Sequence, residues 1–279
     1  GYYLHIETFF DYLKLHPEIK KIWTLHDCWS FTGHCSHYTY AKCDQWIRGC
    51  SNKCPNKKKY PQSFISRSKQ NYLKKKRIIS SVKNMFLVTP SQWLMKEANN
   101  SFLKEYPIQV INNGVDTTIF KPTPSDIKEK YGIQDKKVIL GVTSVWNKMK
   151  GLETFIELSK YLPQEYKIVL IGLNKKQINH LPTNIIGLPR TENVQELVKW
   201  YSAAEIYFNP TLEDNYPTTN LEAIACGTPV ITFNTGGSPE SAFANNSTII
   251  YSKSLEETIS KISTLSQLQR IPHFQMMNI

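Results

Sequence analysis

The sequence predicts an α/β fold with parallel sheets of the doubly wound type. Three observations predict it. Strand-like apolar runs alternate with helix-like stretches along most of the chain, the pattern of strand–helix–strand units. The 279 residues, 41% hydrophobic and 20% charged, suffice to bury a core and to form two domains. No internal repeat or low-complexity segment interrupts this order.

The elements follow in order. Gly1-Tyr-Tyr-Leu-His-Ile6 leads into helix-like sequence, and Lys20–Leu25 reads as a strand ending at His26-Asp27. A Cys-rich loop comes next. A long basic helix is expected from about Gln62 to Val82, then a strand at Met85–Thr89. Ser91 suits the N-cap of a helix over Gln92–Asn99. A second domain is expected to begin near Val115. Its strands are read at Val138–Thr143, Lys167–Gly172, Ile185–Gly187, Ile206–Phe208, Val230–Phe233 and Thr248–Tyr251. Its helices are read near Gly151–Leu162, Val194–Tyr201, Pro217–Cys226 and Leu255–Ser263. In such a sheet, ligands bind beyond the carboxyl ends of the strands.

The segment Thr211–Val230 carries the most chemistry. Pro217 suits the first position of a helix, and the amides of Thr218 and Thr219 lie in its first turn. A helix start of this kind binds phosphate well. Asp214 precedes the turn and Glu222 lies eight residues later. Carboxylates beside a phosphate site are placed to accept hydrogen bonds from sugar hydroxyls. Taken alone, two acids near a helix start are also common in ordinary capped helices.

That segment resembles the E-x7-E region of retaining GT-B-fold glycosyltransferases of family 4, with Asp214 at the first acidic position and Glu222 at the second. Glu213 competes for the first position, and the spacing favours Asp214. Val110–Pro122, with Asn-Gly-Val-Asp inside it, is similar to the family's interdomain crossing. Gly141–Gly151 is similar to its first phosphate loop, and Thr235–Glu240 to its Gly-Gly-x-x-Glu loop. The resemblance runs from about Gly1 to Thr264 and suggests the subgroup that makes bacterial capsular, exopolysaccharide or lipopolysaccharide chains.

The resemblance implies two Rossmann-like domains. Residues 1–114 would be a partial acceptor-side domain, 115–264 the donor-binding domain, and 265–279 a tail. The family's Gly-rich opening is not found, so the first domain is expected to be incomplete. The implied donor is a nucleotide-diphosphate sugar, and the implied acceptor a glycan or a lipid-linked chain. No catalytic metal is expected. Lys150 and the start Pro217–Thr219 would stabilise the diphosphate as charge builds on it. Glu222 would hold the ribose, Asp214 would position the sugar, and His26 would support it. The family's Arg about six residues before the Lys is Ser144 here. Lys148 is the substitute, although Lys cannot repeat an Arg fork. Arg190, Tyr216, Gly236 and Gly237 complete the expected donor contacts, the two glycines permitting close backbone approach.

Cys35, Cys43, Cys50 and Cys54 give C-x7-C-x6-C-x3-C. They match a tetrahedral structural zinc site in ligand number, with His34 and His37 able to replace one ligand. Two disulfides, or reduced thiols that merely pack, are the alternatives. Four-cysteine clusters in this loop also occur in the resembling subgroup. Cys28 and Cys226 read as packing residues.

The net charge of +11 is concentrated at Lys57–Lys59 and Lys74–Arg77. No zinc-finger or RRM pattern is present, so no nucleic-acid partner is expected. A basic surface against the inner face of a cell membrane suits an enzyme with lipid-linked acceptors. No signal peptide or membrane span is read, and the expected location is cytoplasmic. A rival reading is a truncated, non-catalytic remnant that binds nucleotide or zinc.

Overall fold

A computed structural model describes residues 5–58, 62–243, 247–250 and 253–267. Contacts divide the chain into two units, Gly1–Asn113 with Glu213–Tyr216, and Gly114–Leu212 with Pro217–Ile279.

In the first unit the order is α1 (Ile6–Leu15), β1 (Lys21–Thr24), α2 (Gln45–Arg48), α3 (Ser68–Ile79), β2 (Met85–Thr89), α4 (Gln92–Asn99) and β3 (Ile108–Val110). The three strands pair in parallel in the order β1-β2-β3. Phe10, Leu25, Phe31, Ile79, Leu87, Leu94 and Leu103 fill the core around them. Two elements match the sequence reading to the residue. β2 spans Met85–Thr89, and α4 starts after Ser91, whose side chain accepts the Leu94 N–H at 3.1 Å.

The basic helix is shorter than expected. It begins at Ser68 because Ser63 folds back, its N–H donating to the Lys57 carbonyl at 2.8 Å. It ends before Asn84, whose φ of 56° is left-handed. Ser68, Tyr72, Lys75, Ile78 and Ile79 form its buried face.

The second unit contains α5 (Ile127–Lys130), β4 (Lys137–Val142), α6 (Leu152–Leu158), β5 (Tyr166–Ile171), α7 (Lys175–Ile178) and β6 (Ile185–Leu188). These are followed by α8 (Val194–Ala203), β7 (Ile206–Asn209), α9 (Thr218–Ala225), β8 (Val230–Phe233), β9 (Thr248–Ile250) and α10 (Leu255–Gln267). The six parallel strands lie in the order β6-β5-β4-β7-β8-β9. Numbered within the sheet, that is 3-2-1-4-5-6, the doubly wound Rossmann order.

Successive side chains of a strand point to opposite faces. Val138, Leu140, Val169, Ile171 and Tyr207 enter one core with Trp200 and Tyr201. Ile139, Ile168, Leu170, Ile206 and Phe208 enter the other with Phe155 and Phe233. Burial on both faces explains the unbroken apolar runs.

Boundaries shift in three places. Pro217 is the N-cap of α9 with extended ψ of 117°, so the helix starts at Thr218. Lys150 lies in a 3₁₀ turn, Lys148–Lys150, and α6 starts after Gly151. Helix α10 continues to Gln267, across the expected start of the tail, and the rest of the tail lies outside the described residues.

Candidate functional site

In the second unit the strand order reverses between β4 and β7, and the crevice of a doubly wound sheet lies at that switch point. The loops after β4 and β7 meet there. The Leu212 N–H donates to the Met149 carbonyl at 2.8 Å, and Asn147 caps the turn by accepting the Lys150 N–H at 3.1 Å. Gly151 has φ +78°, and a Cβ there would sit 2.6 Å from Pro210. The close approach of the two loops thus requires glycine. Lys148 and Lys150 are therefore carried on a turn clamped to the loop that leads into α9.

Helix α9 presents its first turn without a side-chain cap. Thr218 is exposed and Thr219 half-buried. A buried polar network fixes this end of the helix. Asn209 Nδ2 donates to Asn220 Oδ1 at 2.8 Å, and Asn220 Nδ2 donates to Ser241 Oγ at 2.9 Å. Thr232 and Ser238 hydroxyls meet at 2.7 Å, and Asn220 Nδ2 also approaches the Ser238 carbonyl at 3.4 Å. The network ties the turn at Gly236-Gly237 to α9. Gly236 takes φ +56°, while Gly237 does not need a left-handed backbone. The Thr235 hydroxyl in the same turn is buried without a hydrogen-bond partner.

Glu222 is half-buried on α9, and its Oε2 accepts from the Tyr201 hydroxyl at 2.8 Å. Burial pushes the Glu222 carboxyl above its ordinary range, and the Tyr201 bond pulls it back. Tyr201 is itself fully buried against Phe120 and Tyr207. Tyr201 thereby fixes the direction of the carboxylate. Arg190 stands exposed after β6, the edge strand, two strands away from β4.

The remaining expected residues belong to the first unit. His26 is exposed immediately after β1. Its carbonyl accepts from Asn215 Nδ2 at 3.0 Å, and Asn215 Oδ1 accepts from Ser91 Oγ at 2.6 Å. Asn215 thus ties the end of β1 to the start of α4, directly beside Asp214. Asp214 Oδ1 accepts the Asn215 N–H at 2.9 Å. Glu213 is buried and holds the Tyr40 N–H at 3.1 Å, a structural contact that occupies it. Tyr216 is buried, with its carbonyl 3.5 Å from Asn113 Nδ2.

Sequence reasoning missed Asn215, Asn220 and Tyr201. For the two Asn residues the signal was their position on either side of the start of α9; Tyr201, on α8, gave none.

The Cys-rich loop joins β1 to α3 and, among the described residues, contains only α2. All six cysteines are free thiols, so the two-disulfide alternative is not realised. Cys35 donates to Cys54, which lifts Cys35 well above and draws Cys54 well below the usual thiol range. Among the described residues, no three His, Cys, Asp or Glu side chains already stand as a metal cage.

The description "Glycosyl transferases group 1" is matched by residues 124–273. WcaC of Escherichia coli, assigned by name to colanic acid biosynthesis, is 26% identical over 239 residues, covering 83% of this chain and 57% of WcaC. The N-acetyl-alpha-D-glucosaminyl L-malate synthase of Bacillus anthracis is 26% identical over 161 residues, covering 54% of this chain and 42% of the synthase. The chain therefore spans about half the length of these relatives. Among solved structures, Anabaena HepE in complex with UDP and glucose aligns with a TM-score of 0.63 at 15% identity, over 94% of this chain and 66% of HepE. WaaG, a glycosyltransferase involved in lipopolysaccharide biosynthesis, aligns with a TM-score of 0.61 at 18% identity, over 92% of this chain and 71% of WaaG. These two likenesses place the fold in the Rossmann-like GT-B class. The matched segment is more than half of the chain and contains the switch-point loops, the uncapped helix start and Glu222, so the chain belongs to the glycosyl transferases group 1 family.

Proposed function

We propose that the protein to which this chain belongs transfers a sugar, with retention, from a nucleotide-diphosphate sugar to a glycan or lipid-linked acceptor in bacterial surface-polysaccharide synthesis. The observation that carries this reading is the hydrogen bond from buried Tyr201 of α8 to half-buried Glu222 of α9, behind a helix start without a side-chain cap. The diphosphate lies at Thr218 and Thr219, where backbone amides and the helix dipole favour negative charge. Lys150, with Lys148, adds positive charge as the leaving diphosphate forms, and no catalytic metal takes part. Glu222 accepts from the ribose hydroxyls. Asp214 and His26 act on the sugar. Gly236 and Gly237 allow close backbone approach, and the buried Thr235 hydroxyl gains a partner when an anion binds.

The test is a thermal-shift panel of nucleotide sugars, because a ligand that binds the native state raises stability. UDP-sugars come first, since the HepE structures contain UDP and UDP-glucose. At least one donor should raise the melting temperature, and the Lys150→Ala variant should lose most of that rise. A flat response to every donor contradicts the reading.

The protein works in the cytoplasm at the inner membrane face. Among the described residues no helix is long and apolar enough to cross a membrane. Contact is made by the loop before α3, where Phe64 is 96% and Ile65 71% exposed. Lys58, Arg67 and Lys69 flank this apolar pair and are exposed. An apolar tip ringed by cations suits an anionic bilayer. Part of the charge on α3 is already engaged, because Lys74 and Arg77 lie 3.0 and 3.4 Å from Glu7. Sedimentation with phosphatidylglycerol vesicles should pellet the chain, and Phe64→Ser with Ile65→Ser should leave it in solution. Equal binding by the double variant contradicts this contact.

A further inference from the structure

We propose that the turn Thr39–Lys42 is a subsite for the acceptor sugar. The Tyr40 ring is the platform for a pyranose, and the Lys42 ammonium meets an anionic group on that sugar or next to it. This deepens the proposed function and rests on it, because it takes Asp214 and His26 as residues that meet sugars.

The turn is closed by short local bonds. The Lys42 N–H donates to the Thr39 carbonyl at 3.1 Å, and the Cys43 N–H to the Tyr38 carbonyl at 3.3 Å. Its flanks are anchored on both sides. The Tyr38 hydroxyl donates to the Glu97 carboxylate of α4, and the Tyr38 ring packs on Trp46 at 4.9 Å. Asn56 Nδ2 donates to the His37 carbonyl at 3.0 Å. The Tyr40 N–H donates to Glu213 Oε1 at 3.1 Å. Glu213 adjoins Asp214, and the next residue, Asn215, bonds both to the His26 carbonyl and to the Ser91 hydroxyl at the start of α4. Turn, acid and histidine thus share one hydrogen-bonded frame. That frame stands at the carboxyl ends of β1 and β2, where an open α/β sheet binds its ligands.

Two side chains of the turn remain open to a ligand. Tyr40 is 41% exposed, whereas Tyr38 and Trp46 beside it are buried. A tyrosine held in this way offers a rigid apolar face with a polar tip. The C–H face of a sugar ring packs on such a surface. Lys42 is exposed and has φ 47°, in the left-handed region where glycine costs less. Among the described residues no ion pair engages its ammonium. A strained position that keeps a charged side chain in place of glycine points to ligand binding. The anion is the carboxylate of a uronic acid or a phosphate, since both accept charge-assisted bonds from an ammonium.

Saturation-transfer NMR of the whole chain tests the subsite, with the donor selected by thermal shift present. The probes are the methyl glycosides of glucose, galactose and mannose, methyl glucuronide, and glucose 6-phosphate. At least one probe should bind, and an anionic probe should bind more tightly than methyl glucoside. Tyr40→Ala should weaken that binding about tenfold, the size of an aromatic contact, while Tyr40→Phe keeps it. Both variants retain the backbone N–H that Glu213 holds. Lys42→Gly should leave the urea midpoint no lower and erase the preference for the anionic probe. A loss confined to methyl glucuronide identifies a carboxylate, and a loss confined to glucose 6-phosphate a phosphate. Binding that ignores Tyr40 overturns the proposal, as does an anionic preference that is absent or that survives Lys42→Gly. Donor binding should be the same in all three variants. A wild type that binds no donor contradicts the proposed function, whereas normal donor binding without Tyr40-dependent sugar binding overturns this subsite alone.

Discussion

Glu222→Gln should weaken nucleotide-sugar binding by about 1–3 kcal/mol, the loss expected for a charged hydrogen bond. The substitution keeps the shape of the side chain and its contact with Tyr201 but removes the charge. Calorimetry with the donor selected by thermal shift measures the loss. Tyr201→Phe tests the same pair from the other side. The Tyr201 hydroxyl lowers the Glu222 pKa, which burial has raised. Removing it raises that pKa further, and binding that needs the carboxylate fails as pH falls through it. The acid edge of donor binding should therefore move to higher pH in Tyr201→Phe, with affinity recovered at alkaline pH. Unchanged affinity in Glu222→Gln, with folding intact, would remove Glu222 from the site.

Gly172→Ala should destabilise the second unit by about 2–4 kcal/mol, from a left-handed backbone and overpacking together. Gly172 has φ +98°, and a Cβ there would lie 1.7 Å from the Thr143 carbonyl oxygen. The clash is with backbone, so no side chain can yield to it. Thr143 is also the first residue beyond β4, at the root of the turn that carries Lys148 and Lys150. Donor affinity should fall along with stability. Gly114→Ala is the control, since nothing lies within 4 Å of a Cβ there. Urea denaturation of both variants measures the difference, and equal midpoints would contradict the packing argument.

The elements most legible in the sequence are those with a strong local cause. Strand β8 is a short apolar run buried on every residue, bounded by Gly227-Thr-Pro229. Helix α4 announces itself through the Ser91 cap. The one-turn helices α2, α5 and α7 have four residues each, too few to show a 3.6-residue period. The start of α3 was misjudged because Ser63 and Ser66 make local bonds that hold residues 62–67 out of the helix.

At the site, Glu222, Lys150 and the start of α9 were legible because they are local to one turn each. The supporting residues were not. Tyr201 meets Glu222 across 21 residues, and Asn215 meets the His26 carbonyl across 189. A buried Asn becomes informative only when its partners are known. The choice of Asp214 over Glu213 likewise rested on spacing, and the Glu213 bond to the Tyr40 N–H now gives Glu213 a structural task of its own.

A crystal structure of the chain grown with UDP tests the central claim most directly. The account predicts the diphosphate at the first turn of α9, against Thr218 and Thr219, with Lys150 beside it and the ribose hydroxyls within hydrogen-bond distance of Glu222. A nucleotide bound away from α9, or a ribose that leaves Glu222 untouched, would contradict it.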